Sequence, residues 1–84
     1  MDMRKLVGRN ARRIRQKTGL TQEKLAEVSG FSQQYISDLE QGRRNPTVVT
    51  LYELAAALGV SHVELVRPTK NARKGRTKTL KVGR

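Results

Sequence analysis

The sequence has no cysteine, no tryptophan, one histidine (His62) and only three aromatic residues, Phe31, Tyr35 and Tyr52. Without cysteine there can be no disulfide, thiolate metal site or cysteine nucleophile. One histidine cannot furnish a His-rich zinc site, and no H-E-x-x-H spacing occurs. No cofactor or metal is implied. Long apolar runs are missing too: nothing approaches the ~18 residues of a membrane span, and the N-terminus lacks a signal-type stretch. A soluble, non-secreted chain is expected, without a membrane partner. Acid is also scarce, since 7 Asp and Glu face 18 Lys and Arg, for a net charge of +11. Such an excess points to a polyanionic partner, nucleic acid before an anionic membrane surface. At 84 residues the chain is one small domain at most. A body of that size buries only roughly 60% of its unfolded surface, so well-packed helices must stabilise it.

The charge is unevenly spread. Residues 67–84 hold eight basic residues (Arg67, Lys70, Arg73, Lys74, Arg76, Lys78, Lys81 and Arg84) and no acid, leaving residues 1–66 at only +3. Beyond Pro68 apolar residues become sparse. A folded body over residues 1–66 and a basic C-terminal tail over 67–84 are therefore expected. The tail has three readings: an arm that follows phosphates or enters a minor groove, a solubilising extension, or a strand over Lys78–Val82 that pairs with a partner chain.

Glycines and cap residues punctuate the body into five short helices. Leu6, Val7, Ala11 and Ile14 share one helical stripe that Gly19 stops. Thr21 can cap a second helix facing inward through Leu25, Ala26 and Val28, broken by Gly30. Ser32 can cap a third, carrying Ile36 and Leu39 and ended by Gly42. After the polar loop Arg43–Pro46, Thr47 can cap a fourth helix with Val48, Leu51, Leu54, Ala55 and Leu58 inward, stopped by Gly59. Ser61 and Glu64 have capping-box spacing for a last helix through Val63, Leu65 and Val66, which Pro68 closes. The fold class is all-α.

Residues 22–41, QEKLAEVSGFSQQYISDLEQ, have the pattern that a helix-turn-helix requires. Small Ala26 falls where two helices cross closely, and Gly30 falls in the turn, where positive φ is cheap only for glycine. Leu25, Phe31, Ile36 and Leu39 supply the small core that fixes the interhelical angle. A generic helical hairpin would use the same residues, but the flanking sequence narrows the choice. The blocks VGRNARRIRQKTGLTQEKLA, SQQYISDLEQGRRNPT and LYELAAALGVSHVEL, from Val7 to Leu65, resemble the Cro and phage-repressor type helix-turn-helix family, also called the xenobiotic-response-element family. The resemblance implies a compact five-helix lambda-repressor-like domain that docks on double-stranded DNA as a homodimer. It also implies that the third helix enters the major groove.

Candidate contacts follow. Gln33, Gln34, Ser37 and Asp38 occupy the outward face of the third helix, opposite Ile36 and Leu39. Glutamine can pair with the N6 and N7 edge of adenine, and a carboxylate can accept from the N4 amino group of cytosine. The competing reading is a solvated helix face. Gln22 opens the second helix, where a helix N-terminus attracts phosphate, and the resemblance implies a phosphate contact there. Arg43, Arg44 and Asn45 leave the third helix where the duplex backbone should pass. Tyr35 either packs on Phe31 and offers its hydroxyl to a phosphate, or completes the core. The resemblance implies a structural ion pair of Arg15 with Glu40, clamping the first helix to the third. It also places the dimer contact at Leu58, Val60, Val63 and Val66, whose valines exceed what one short helix can bury.

Catalysis has no foothold: there is no nucleophile–base pair, Gly-rich phosphate loop or pocketed carboxylate pair. The leading expectation is a cytoplasmic, nucleoid-associated, sequence-specific transcription regulator of a prokaryote, phage or mobile element, acting as a homodimer on a pseudo-palindromic operator. The alternative is a protein-interaction module of the same fold, an antitoxin or bridging cofactor with a polymerase, toxin or antiactivator as partner. A membrane-active cationic helix is a distant third, because the glycines and caps specify a globule.

Overall fold

The computed structural model describes residues 2–68. The readings of the basic tail, including the strand at Lys78–Val82, lie outside the described residues. Five helices run α1 (Met3–Lys17), α2 (Gln22–Ser29), α3 (Gln33–Glu40), α4 (Val48–Leu58) and α5 (His62–Val66). Among the described residues there is no strand.

Each helix starts where a short polar side chain can accept an otherwise unpaired first-turn N–H. Thr21, Ser32 and Thr47 accept from Lys24, Tyr35 and Thr50, each at 3.0 Å. Asp2 does the same for Arg4. Each such cap contributes about 1 kcal/mol. The capping box expected at α5 is only half formed. Ser61 accepts from the Val63 N–H at 3.2 Å, but the Glu64 carboxylate does not reach back. It is taken instead by Arg67, whose Nε and Nη2 donate to its two oxygens at 3.0 and 2.8 Å. A two-pronged guanidinium contact outcompetes one backbone N–H.

Three helices end in one motif, in which an N–H just past the helix returns to the carbonyl five positions back. The bonds are Leu20 to Arg15 at 3.0 Å, Arg43 to Asp38 at 2.9 Å and Val60 to Ala55 at 3.0 Å. After α1 and α4 the returning residue is apolar and packs on the core. After α3 it is Arg43, which stays exposed. Gly30, at φ +85°, makes the turn between α2 and α3 that a side-chain-bearing residue would strain.

The core joins Ala11 and Ile14 of α1 to Leu25 and Ala26, Ile36 and Leu39, Leu54, Ala55 and Leu58, and Leu65. α1 packs on α3 and α5, α2 on α3 and α4, and α4 on α5. Two residues expected inside are outside. Val28 and Val48 are 51% and 78% exposed. In α2 the inward stripe is Leu25, Ala26 and Ser29, which leaves Val28 to one side. Val48 lies on the helical line of Leu51 and Ala55 but opens α4 in its first turn, where it stays exposed.

Two α1 residues set the close packing. A Cβ on Gly8 would stand 2.4 Å from the Leu39 carbonyl oxygen and 2.7 Å from that of Glu40. Glycine therefore lets the end of α3 lie directly on α1. Asn10 is fully buried, and its amide donates to the carbonyls of Leu65 and Arg67, both at 2.9 Å. Its own oxygen accepts from Arg13 at 3.0 Å. This amide satisfies carbonyls that the end of α5 would otherwise leave unpaired.

Candidate nucleic-acid interface

α3 has two chemically distinct sides. Ile36, Leu39 and Glu40 are buried, whereas Gln33 and Gln34 are exposed and Ser37 and Asp38 half-buried. The four candidate base-contacting residues thus share the outward side. Among the described residues Gln33 has no side-chain hydrogen bond, so its amide is open to a ligand. The Gln41 amide donates to the Ser37 hydroxyl at 3.3 Å. Gln34 donates through Nε2 to Asp38 Oδ1 at 2.9 Å, one helical turn on.

Asp38 is also the anchor of the loop that follows. Arg43 and Arg44 approach its two oxygens at 3.8 and 3.5 Å. The Arg44 guanidinium lies 5.1 Å from the centre of the Tyr35 ring. That ring stacks in turn on Phe31, with centroids 5.1 Å apart. The Tyr35 ring packs against the core cluster, and the residue is half-buried. Burial pushes its phenol above the ordinary value, and the Arg44 charge pulls partly the other way. At neutral pH the hydroxyl is a donor. Asn45 is exposed beside Asp2, Met3 and Arg4.

Beneath this surface Arg15 and Glu40 are paired. Arg15 Nε donates to Glu40 Oε2 at 2.6 Å and Nη2 to Oε1 at 3.1 Å, and both side chains are nearly inaccessible. Arg15 also donates to the Leu20 carbonyl at 2.8 Å. Gln22, the phosphate candidate, turns its amide inward and donates to Glu40 Oε1 at 3.0 Å. Its remaining N–H and its backbone N–H are what it can offer outward. One buried carboxylate therefore ties α1, the start of α2 and α3 together.

The four residues expected at a dimer contact differ in exposure. Leu58 lies in the protomer's own core, and Val60 packs against it. Val66 is half-buried, and only Val63 is well exposed. The larger apolar surface is the outer side of α4, where Val48, Val49 and Tyr52 are 78%, 64% and 63% exposed. Tyr52 leans on His62 at 6.3 Å between rings, which links this side to the start of α5. Sequence reading missed Val49 and Tyr52. Their signal was available, since the two stand three residues apart on the side of α4 opposite Leu54 and Leu58. No cluster of metal-ligating side chains occurs among the described residues, and no helix there is long and apolar enough to cross a membrane.

Comparison with known proteins agrees with this geometry. The helix-turn-helix family model HTH_3 matches residues 12–65. A protein of Sinorhizobium fredii, named as an uncharacterized HTH-type transcriptional regulator, is 74% identical over 69 residues, which are 82% of this chain and 90% of the relative. The control protein C.SmaI of Serratia marcescens is 41% identical over 66 residues, 79% of each chain. Among solved structures, a hypothetical transcription factor from Neisseria superposes with a TM-score of 0.79 at 34% identity, covering 87% of this chain and 84% of its own. The chain belongs to the HTH_3 helix-turn-helix family of transcriptional regulators, of the Cro and xenobiotic-response-element type.

Proposed function

We propose that the protein is a sequence-specific DNA-binding regulator that works in the prokaryotic cytoplasm as a homodimer on a pseudo-palindromic operator. The observation that carries this reading is the outward side of α3. Exposed Gln33 and Gln34 stand at its N-terminal end, with Ser37 and Asp38 behind them and the basic loop Arg43–Asn45 beyond. In this reading α3 lies in the major groove, Gln33 and Gln34 meet base edges, and Arg43, Arg44, Asn45, Tyr35 and Gln22 meet phosphates. Residues 1–66 form the binding domain, and the basic segment 67–84 acts as an arm that adds phosphate contacts.

The exposed apolar side of α4 supports dimerisation. Val48, Val49 and Tyr52, continued by Val63, make a self-complementary patch, in place of a contact through Leu58. Two recognition helices would then read half-sites about 10 base pairs apart. The same patch favours a second reading, in which it receives a different protein and DNA binding is weak.

Selection of bound duplexes from a random pool, with sedimentation of the free protein, separates the two. A palindromic consensus and a dimer that Tyr52→Arg dissociates support the regulator. No enrichment, with a monomer at all concentrations, supports the interaction module. Deleting residues 70–84 should lower affinity for all DNA while leaving the consensus unchanged. The salt slope should shrink by roughly 0.9 for each phosphate that the arm no longer neutralises.

A further inference from the structure

We propose that Asp38 is a positioning residue that fixes the orientation of the Gln34 amide and thereby makes Gln34 select adenine. The inference rests on the major-groove reading of α3 given above. A glutamine amide carries an acceptor oxygen and two N–H donors, and a half-turn about its last bond exchanges their places. An unrestrained glutamine can therefore accept from adenine N6 or cytosine N4, or turn over and donate to thymine O4 or guanine O6.

Gln34 is not unrestrained. Its Nε2 stands 2.9 Å from Asp38 Oδ1. An ionised carboxylate only accepts, so the group facing it must be the NH2. Turning the amide over would bring Gln34 Oε1 against Asp38 Oδ1, two acceptors with no proton between them. The carboxylate is itself held. Arg43 and Arg44 approach its oxygens at 3.8 and 3.5 Å, and the Asp38 side chain is only 17% exposed. Arg44 is in turn seated over the Tyr35 ring. What Gln34 presents outward is then one oxygen and one remaining N–H in a fixed order, the order that adenine N6 and N7 require. Each Asp38 oxygen already faces a donor, Oδ1 the Gln34 amide and Arg43 and Oδ2 Arg44, so Asp38 acts through Gln34 and through the arginines.

The test is duplex selection with the full-length chain and four variants: Gln34→Ala, Asp38→Asn, Asp38→Glu and Gln34→Ala/Asp38→Asn. Asp38→Asn has the same shape, but its amide can donate as well as accept, so it permits the turned-over glutamine. The wild type should enrich adenine at one base pair per half-site, and Gln34→Ala should lose that preference. Asp38→Asn should broaden the same base pair toward thymine and guanine, lowering the adenine preference by about tenfold. Its affinity for random DNA should rise, because one negative charge facing the polyanion is gone. Asp38→Glu, still acceptor-only, should keep the preference. In the Gln34→Ala background Asp38→Asn should change nothing further at that base pair.

The inference is overturned if Asp38→Asn leaves every position sharp, or alters a different base pair while that of Gln34 stays sharp. The latter would make Asp38 a direct reader. If the wild type enriches no duplex, the major-groove reading itself fails and the inference falls with it, a result distinct from the other two. Melting temperatures of the variants should match the wild type, so a folding defect would show separately.

Discussion

α3 carries two carboxylates two residues apart, and they do opposite work. Glu40 points inward, with Arg15 donating at 2.6 and 3.1 Å and Gln22 at 3.0 Å, in surroundings almost closed to water. Asp38 points outward among Gln34, Arg43 and Arg44, within reach of solvent. In both clusters a carboxylate gathers arginine and a glutamine amide. Burial is what differs, and burial sets the energy. A charge removed from water is tolerable only while it is paired, so breaking the inner cluster costs far more than breaking the outer one. The outer cluster contributes little to stability and is free to serve recognition.

The largest expected effect therefore comes from the inner side. Glu40→Ala leaves Arg15 buried and unpaired and should cost about 3–5 kcal/mol in chemical denaturation. Gly8→Ala comes next, because its Cβ must displace the α3 carbonyls that rest on α1. A loss of roughly 1–3 kcal/mol is expected, and the gain in helix propensity offsets only part of the strain. On the outer side, Arg44→Ala should change stability by no more than about 0.5 kcal/mol. It should weaken operator and random DNA alike and reduce the salt slope by about 0.9, as measured in a salt titration of affinity.

The smallest effect belongs to an exposed ion pair, Glu64 with Arg67. The Arg67 hydrogen bond holds the Glu64 carboxyl below its ordinary value, and the neighbouring Arg13 charge adds to this. A carboxylate whose folded-state value is depressed adds stability above its unfolded value, and loses it as the pH falls through the folded one. Arg67→Ala should move Glu64 back toward the ordinary carboxylate range in an NMR titration, with a barely measurable change in melting temperature.

Much of this was legible in the sequence, and the misses share one cause. Caps at Thr21, Ser32 and Thr47 and the turn at Gly30 are local chemistry, and local patterns declare them. The Arg15–Glu40 pair came only through family resemblance, because nothing in the spacing of residues 25 apart requires a contact. Gly8 and Asn10 were missed because their roles depend on what crosses them, the end of α3 for one and the end of α5 for the other. Asn10 did leave a trace: it stands midway between Leu6 and Ile14 on an apolar stripe, where a polar residue needs a partner. Glu64 misled because the capping-box pattern is blind to Arg67. Asp38 has more company than its sequence neighbours suggest, since Arg43 and Arg44 return to it only after the chain turns at Gly42.

The central claim is that the outward side of α3 reads sequence while its inward side holds the fold. Its most direct test is the ratio of operator affinity to random-duplex affinity, measured for the wild type and for Gln33→Ala/Gln34→Ala at one salt concentration. Each glutamine should contribute about 1–3 kcal/mol of discrimination, so the ratio should collapse toward unity while random-duplex affinity and melting temperature stay nearly constant. A ratio that survives the double substitution, or equal losses on both duplexes, would contradict the assignment of α3 as the reading helix.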